Sequence, residues 1–218
     1  MLRLIPEVRR GKPLRLLCVG AHSDDLEIGC GGTVLTWLAS MPAVAVTWVV
    51  LSAEGIRATE ARRSARALLA RATTRKIIIA DFRDGFFPSQ YADVKCHFEE
   101  LKRDVDPDVV ITHWLHDRHQ DHRLAAELTW NTWRNHLVLE YEIPKYEGDL
   151  ATPNVYIPIS TSLARRKISH LNRCFSSQRS KDWFGADAFM GLMRLRGLEC
   201  RSPSGLAEAF HARKLVLS

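Results

Sequence analysis

Histidine and aspartate side chains are concentrated in two short stretches of the sequence. Residues 21–32 read AHSDDLEIGCGG, and residues 112–123 read THWLHDRHQDHR. Imidazole nitrogens and carboxylate oxygens bind zinc and similar divalent ions, and a catalytic site of this kind needs three protein ligands and an open position for water. His22, Asp25 and His122 meet that count. The two stretches therefore predict a catalytic site that holds one metal ion.

Hydrolysis of an amide is the chemistry that these residue types suit best. A bound divalent ion lowers the pKa of its water to about 7, and Asp24 is placed to take the proton as the water attacks. The reaction also needs a group that stabilises the oxyanion and a proton for the departing amine. His119, held by Asp121 or Asp117, can supply either.

Three other interpretations compete with this one. Asp24 or Asp25 can simply cap a helix that begins near Gly29. Two histidines and one carboxylate also describe the iron site of non-haem Fe(II) oxygenases, and a metal-binding regulatory module without catalysis is the third alternative. Few histidines are needed for one metal, so we expect His113 and His116 to lie outside the ligand set.

The elements that position these residues alternate between strand and helix. Apolar runs at 14–20 and 44–52 predict buried strands, with a helix over 31–40 between them. The alternation continues with predicted helices over 57–71 and 91–105 and predicted strands over 76–80 and 109–112. This pattern predicts an α/β, Rossmann-like fold with a mainly parallel sheet and helices on both faces. Ligands of such sheets bind beyond the carboxyl ends of the strands, where both histidine stretches begin.

A chain of 218 residues suits one domain with a substantial core. We expect a single domain over 1–218, with a Rossmann-like core at about 14–136 and a C-terminal extension at about 137–218. The extension contains LVLEYEIP, NVYIPIS, two predicted helices and a final strand-like segment, KLVL, at 214–217. We expect it to complete the sheet and to form a wall of the site.

Composition excludes several classes of protein. The net charge is +6, but basic residues are spread through helix-like segments among acidic ones, which indicates solvated helix faces and not a nucleic-acid site. The five cysteines include no CxxC pair, so reduced, mostly buried thiols are expected. The N-terminal segment lacks the continuous apolar core of a signal peptide, and no apolar run is long enough for a membrane-spanning helix. We expect a cytoplasmic protein without a membrane span.

The two stretches resemble the paired signatures of the PIG-L/LmbE-like family of metal-dependent N-deacetylases, which are usually written AHPDDE and HxDH. The similarity extends to SAEGIR, PDVVITH, LEYEIP, SSQ and GLAEAF along most of the chain. The resemblance implies an LmbE-like fold and zinc-assisted removal of the acetyl group from an N-acetylglucosamine-type amino sugar or sugar conjugate. The expected partner is this small molecule, and a homo-oligomer is possible.

Carried over by position, the resemblance also implies a role for each site residue. It makes three residues the metal ligands, namely His22, Asp25 and His122. Asp24 becomes the general base, His119 with Asp121 the pair for the oxyanion and for proton transfer, and Arg57 a substrate-binding residue. Zinc is the expected ion, although Fe²⁺ or Co²⁺ suits the same ligand count.

The first signature departs from the family pattern at two points. Ser23 stands where proline is common. Glu27 follows Leu26, whereas the family's acidic residue directly follows the two aspartates. Because residues around the ligands orient them, we expect the displaced acid to loosen the support of the metal site.

Overall fold

Two apolar strands form the middle of the sheet. In the computed structural model, which describes residues 11–216, strand β1 (Leu14–His22) pairs in parallel with strand β2 (Val44–Ser52). Side chains of β1 are buried on both faces of the sheet, with Leu16 in one apolar cluster and Leu17 in the other. Burial on both faces is typical of central strands in a parallel sheet.

The other strands extend this pair on both sides. They are β3 (Thr74–Ile79), β4 (Val109–His113), β5 (Leu137–Tyr141), β6 (Val155–Pro158) and β7 (Ala207–His211). Within the described residues the sheet has the order β3-β2-β1-β4-β5-β7-β6. The first five strands are parallel, whereas β7 runs antiparallel to both β5 and β6. The prediction of an α/β fold with a mainly parallel sheet is confirmed.

Helices cover both faces of the sheet, as predicted. They are α1 (Asp25–Ser40), α2 (Gly55–Leu68), α3 (Tyr91–Asp104), α4 (Gln120–Thr132), α5 (Thr161–Cys174) and α6 (Ala186–Glu199). Helices α3 and α4 pack in one apolar cluster, and the other four pack in the cluster on the opposite face. Between residues 11 and 216, no helix combines the length and the apolar character that a bilayer crossing requires.

Helix α1 begins earlier than predicted, at Asp25 instead of residue 31, and it includes the three glycines of the first stretch. They lie inside the helix and allow close packing. A Cβ atom added at Gly29 would lie 2.1 Å from Cδ2 of Tyr141, on strand β5. The absence of a side chain at Gly29 therefore lets α1 approach the sheet.

The predicted C-terminal strand at 214–217 was wrong. Residues 214–216 are exposed and irregular, residue 217 lies outside the described residues, and the last strand is β7. The sequence AEAFH of β7 lies between β5 and β6 and is buried along most of its length. The expectation about a signal peptide rests on residues 1–17, of which residues 1–10 also lie outside the described residues.

Two glycines inside helices provide a matched test of this packing. Gly29→Ala should lower the free energy of unfolding by about 1–3 kcal/mol, because overpacking against Tyr141 outweighs the better helix propensity of alanine. Gly191→Ala on α6 should raise it by up to about 1 kcal/mol, since the added Cβ meets no atom within 4 Å. Urea denaturation measures both. Equal stabilisation by the two substitutions would contradict the close approach of α1 to Tyr141.

Candidate active site

The two histidine stretches meet at the carboxyl edge of the parallel strands. Strand β1 ends at His22 and the parallel strand β4 ends at His113, so the segments that follow them leave the sheet side by side. The first segment leads directly into α1, which carries Asp25. The second leads into α4, which carries His122 in its first turn. The predicted ligands are thus brought together by neighbouring strands.

The three predicted ligands have the spacing of a single metal site. Nδ1 of His22 lies 3.1 Å from Nε2 of His122 and 3.3 Å from Oδ2 of Asp25. Nε2 of His122 lies 3.5 Å from the same Asp25 oxygen. Metal bonds of about 2.0–2.2 Å in a tetrahedral arrangement place ligand atoms roughly 3.3–3.6 Å apart. The donor set and its spacing therefore fit one divalent ion.

Carboxylates contact the other ring nitrogen of both histidines. Nδ1 of His122 lies 3.0 Å from Oδ2 of Asp117. Nε2 of His22 lies 3.1 Å from Oδ1 of Asp84 and 3.3 Å from Oδ2 of Asp121. A carboxylate in this position orients the ring and directs the opposite nitrogen to the metal. Asp84 did not stand out in the sequence, because the loop after β3 carries no motif.

The protonation of His122 and Asp25 suits a metal, whereas His22 would have to give up a proton to bind one. Burial lowers the pKa of His122 to about 3, so the imidazole is neutral and its lone pair is available. Burial raises the pKa of Asp25, but the surrounding histidines outweigh it and hold that pKa well below its usual value. Burial also lowers the pKa of His22, whereas nearby carboxylates raise it well above the usual value. The negative charge of these nearby carboxylates is what a divalent cation would balance.

His113 lies close to the ligands but is already engaged. Its ring stacks on that of His122 with 3.8 Å between centroids, and its Nε2 lies 3.1 Å from Oδ2 of Asp25. Asp25, His113 and His122 are close enough to form an alternative metal-binding group. However, Nε2 of His113 accepts a hydrogen bond from the backbone N–H of Ala21, at 2.9 Å, which occupies its lone pair. In the set of His22, Asp25 and His122, no ligand nitrogen is occupied in this way within the described residues. His116, the other histidine expected to lie outside the ligand set, is exposed.

Asp24 places a carboxylate without a full set of partners beside the ligands. The residue is 2% exposed, and its Oδ2 has no hydrogen-bond partner among the described residues. Burial, followed by the charge of Asp25, raises the pKa of Asp24 to about 6. A carboxylate with a raised pKa is a stronger proton acceptor than an ordinary aspartate. Asp24 lines the same cavity as the three candidate ligands.

His119 and Asp121 are joined differently from the side-chain pair that the sequence suggested. Nδ1 of His119 accepts a hydrogen bond from the backbone N–H of Asp121, at 3.3 Å. The Asp121 carboxylate instead accepts from the backbone N–H groups of Gly85, at 2.6 Å, and Phe87, at 3.1 Å, besides contacting His22. Asp121 therefore supports a candidate ligand with its side chain and orients His119 with its backbone.

The departures from the family signature have structural consequences. Ser23, at the proline position, accepts a hydrogen bond from Nε of Arg57, at 3.3 Å, and donates to Oδ1 of Asp24, at 3.4 Å. Glu27 is buried and accepts a hydrogen bond from Ser64 on α2, and burial raises the pKa of Glu27 to about 8. The candidate ligand histidines are contacted by Asp117, Asp84 and Asp121, whereas Glu27 bonds to Ser64.

A cavity of about 320 Å³ opens above these groups. Arg57 lines it and forms an ion pair of 2.7 Å with Asp84. Gln178, Lys181 and Trp183, which follow α5, also line the cavity. Gln178 was noted in the sequence only as part of the SSQ motif.

Sequence comparison assigns the chain to a family. The family described as PIG-L, GlcNAc-PI de-N-acetylase, matches residues 17–133, which is more than half of the chain. The chain belongs to the PIG-L family. The predicted resemblance is confirmed, and the matched segment contains the candidate ligands and Asp24. Among curated proteins, none matches the chain.

Solved structures of similar fold carry more than one activity. The conserved protein TT1542 of Thermus thermophilus is 22% identical, with a TM-score of 0.71 over 94% of this chain and 97% of that one. The N,N'-diacetylchitobiose deacetylase of Pyrococcus horikoshii is 22% identical, with a TM-score of 0.67 over 92% of this chain and 84% of that one. The 4-carboxy-2-hydroxymuconate hydratase GalB of Pseudomonas putida KT2440 is 19% identical, with a TM-score of 0.74 over 94% of this chain and 98% of that one. At these identities the likeness shows the fold of this PIG-L family protein and not its reaction.

The support of His122 by Asp117 can be tested through metal affinity. Asp117→Asn should weaken the binding of Zn²⁺ and Co²⁺ by roughly 10- to 100-fold, because the ring loses its carboxylate partner. Competition with a chelator measures the dissociation constants. His116→Ala, at an exposed position on the same segment, is the control and should bind like the wild type. Unchanged affinity in a folded Asp117→Asn protein would contradict the assignment.

Proposed function

We propose that this PIG-L family protein is a metal-dependent hydrolase that removes the N-acetyl group from an N-acetylglucosamine-type amino sugar or sugar conjugate. The observation that carries the proposal is the 3.1–3.5 Å spacing of the His22, Asp25 and His122 donor atoms beside Oδ2 of Asp24, which has no hydrogen-bond partner within residues 11–216. The family description and the name of the chitobiose deacetylase support an N-acetylated sugar as the substrate class.

Zinc is the proposed ion, with Fe²⁺ or Co²⁺ as alternatives for the same ligands. When bound, such an ion would polarise the amide carbonyl and bring the pKa of a water to about 7. His22, Asp25 and His122 would hold it. Asp84, Asp117 and Asp121 would keep the two imidazole rings in place.

Asp24 is proposed as the general base. Its Oδ2, which has no partner in the part of the chain that the structure describes, would take a proton from the water that attacks the acetyl carbonyl carbon. The same carboxyl group would then give that proton to the departing amine nitrogen as the C–N bond breaks, so that the products are acetate and the free amine. One group serves in both directions because it gains and then loses a single proton.

His119 is proposed to stabilise the oxyanion. Its Nδ1 accepts the backbone N–H of Asp121, so a neutral ring carries its proton on Nε2 and can donate there. Burial, followed by the charge of His22, lowers the pKa of His119 and favours this neutral form. Arg57, on the cavity wall, is proposed to bind polar groups of the substrate.

Asp24→Asn is the decisive substitution for the proposed reaction. The amide cannot accept the proton, so kcat for acetate release from N-acetylated amino sugars should fall by roughly 10²- to 10⁴-fold, with metal content unchanged. Asp93→Asn, on the exposed side of α3, should keep the wild-type rate. The readout is acetate release by the zinc-loaded protein, with and without a chelator.

The outcomes separate the competing functions. Metal-dependent acetate release that persists without O₂ and is lost in Asp24→Asn supports the hydrolase and excludes an Fe(II) oxygenase. Release that requires O₂ and a reductant would favour the oxygenase. No release from any member of the panel by the metal-loaded wild type would contradict the proposal and favour a non-catalytic metal-binding role.

A further inference from the structure

Gln178 has a buried side chain with one unused hydrogen-bonding atom. The residue ends a short 3₁₀ helix, Ser176–Gln178, and is 3% exposed. Its Oε1 has no partner among the described residues, although the side chain lines the catalytic cavity. Buried polar groups are nearly always hydrogen-bonded, so a partnerless amide oxygen at a cavity wall needs an explanation.

A chain of hydrogen bonds fixes which end of the amide faces the cavity. The Glu60 carboxylate can only accept, and it accepts from the hydroxyl of Ser177 at 2.6 Å. The Ser177 oxygen in turn accepts from Nε2 of Gln178 at 3.0 Å. Burial raises the pKa of Glu60, but hydrogen bonds from Ser177 and Ser176 outweigh it and hold the carboxyl in its ionised form. The amide NH₂ is therefore committed to Ser177, and the carbonyl oxygen is left as an acceptor.

The surroundings of Gln178 suit a polyhydroxylated ring. Glu60 lies one helical turn after Arg57 on α2, so the contacts that hold Gln178 also fix it relative to a cationic donor on the cavity wall. Trp183 adds a partly buried aromatic ring, and Nζ of Lys181 lies 5.4 Å from the centre of that ring. An aromatic surface with a few fixed donors and acceptors is the usual composition of a small-molecule site.

We propose that Gln178 is a substrate-binding residue whose amide oxygen accepts a hydrogen bond from a ring hydroxyl of the amino sugar. Glu60 and Ser177 are positioning residues, since they act only by fixing the orientation of the amide. The assignment rests on the proposed function for its ligand class. It adds the part of the site that distinguishes a sugar from another N-acetylated amine.

The test measures binding by the zinc-loaded protein. The probes are glucosamine and its 3-, 4- and 6-deoxy analogues, with dissociation constants from calorimetry or NMR titration. Gln178→Met keeps the length of the side chain and removes its polar atoms. This variant should bind glucosamine about 3- to 10-fold more weakly than the wild type, the usual effect of one neutral hydrogen bond. It should also bind one deoxy analogue as well as the wild type does, because that analogue lacks the contacted hydroxyl.

Two serine variants provide the matched comparison. Ser176 and Ser177 each donate a side-chain hydrogen bond to Glu60, but only Ser177 contacts the Gln178 amide. Ser177→Ala should therefore weaken glucosamine binding in the same direction as Gln178→Met, whereas Ser176→Ala should stay within about twofold of the wild type. A purely structural role of the segment would give equal effects in the two variants.

The results for the two proposals are distinguishable. If the wild type releases acetate but Gln178→Met binds every analogue like the wild type, or loses affinity equally for all of them, the role of Gln178 is overturned and the hydrolase stands. If the wild type binds the sugars with the expected hydroxyl dependence but releases no acetate, the hydrolase falls and the ligand assignment stands. A wild type that binds no amino sugar overturns the role of Gln178, and the hydrolase falls as well if that protein also releases no acetate.

Discussion

The structure depends on holding several carboxylates and imidazoles close together out of water. Charges buried in this way are strongly unfavourable unless they are paired, hydrogen-bonded or balanced by a metal ion. The parallel pairing of β1 and β4 meets this demand, because it brings His22 and the segment before His122 to one edge of the sheet. Backbone N–H groups of the loop after β3 then donate hydrogen bonds to the Asp121 carboxylate. The site is thus organised by the sheet and closed by loops.

A second theme is that hydrogen-bond direction is fixed at each functional group. The backbone N–H of Asp121 determines which nitrogen of His119 carries the proton, and the Glu60 carboxylate determines, through Ser177, which end of the Gln178 amide remains free. In both places a group that can only donate, or only accept, decides the tautomer or the amide orientation of the side chain that it leads to. The proposed oxyanion donor, His119, and the proposed hydroxyl acceptor, Gln178, are therefore both oriented by hydrogen bonds of fixed direction.

Much of the fold and the candidate ligand set could be predicted, because both depend on local patterns. Strand and helix periods gave the α/β alternation, and each histidine stretch follows a strand. The supporting residues were less accessible: Asp84 reaches His22 from a loop without a motif, and Gln178 reaches the cavity from beyond the parallel core. The start of α1 was predicted too late, and the contact of Gly29 with Tyr141 could not be foreseen, since it forms only when α1 packs on the sheet. Long-range contacts of this kind leave no periodic signal.

The central claim is that His22, Asp25 and His122 hold one divalent ion, and anomalous diffraction from crystals of the zinc-loaded protein tests it most directly. The account predicts a single zinc peak at bonding distance, about 2.0–2.2 Å, from Nδ1 of His22, Oδ2 of Asp25 and Nε2 of His122. A zinc ion bound instead by Asp25, His113 and His122, or no zinc at this edge of the sheet, would contradict it.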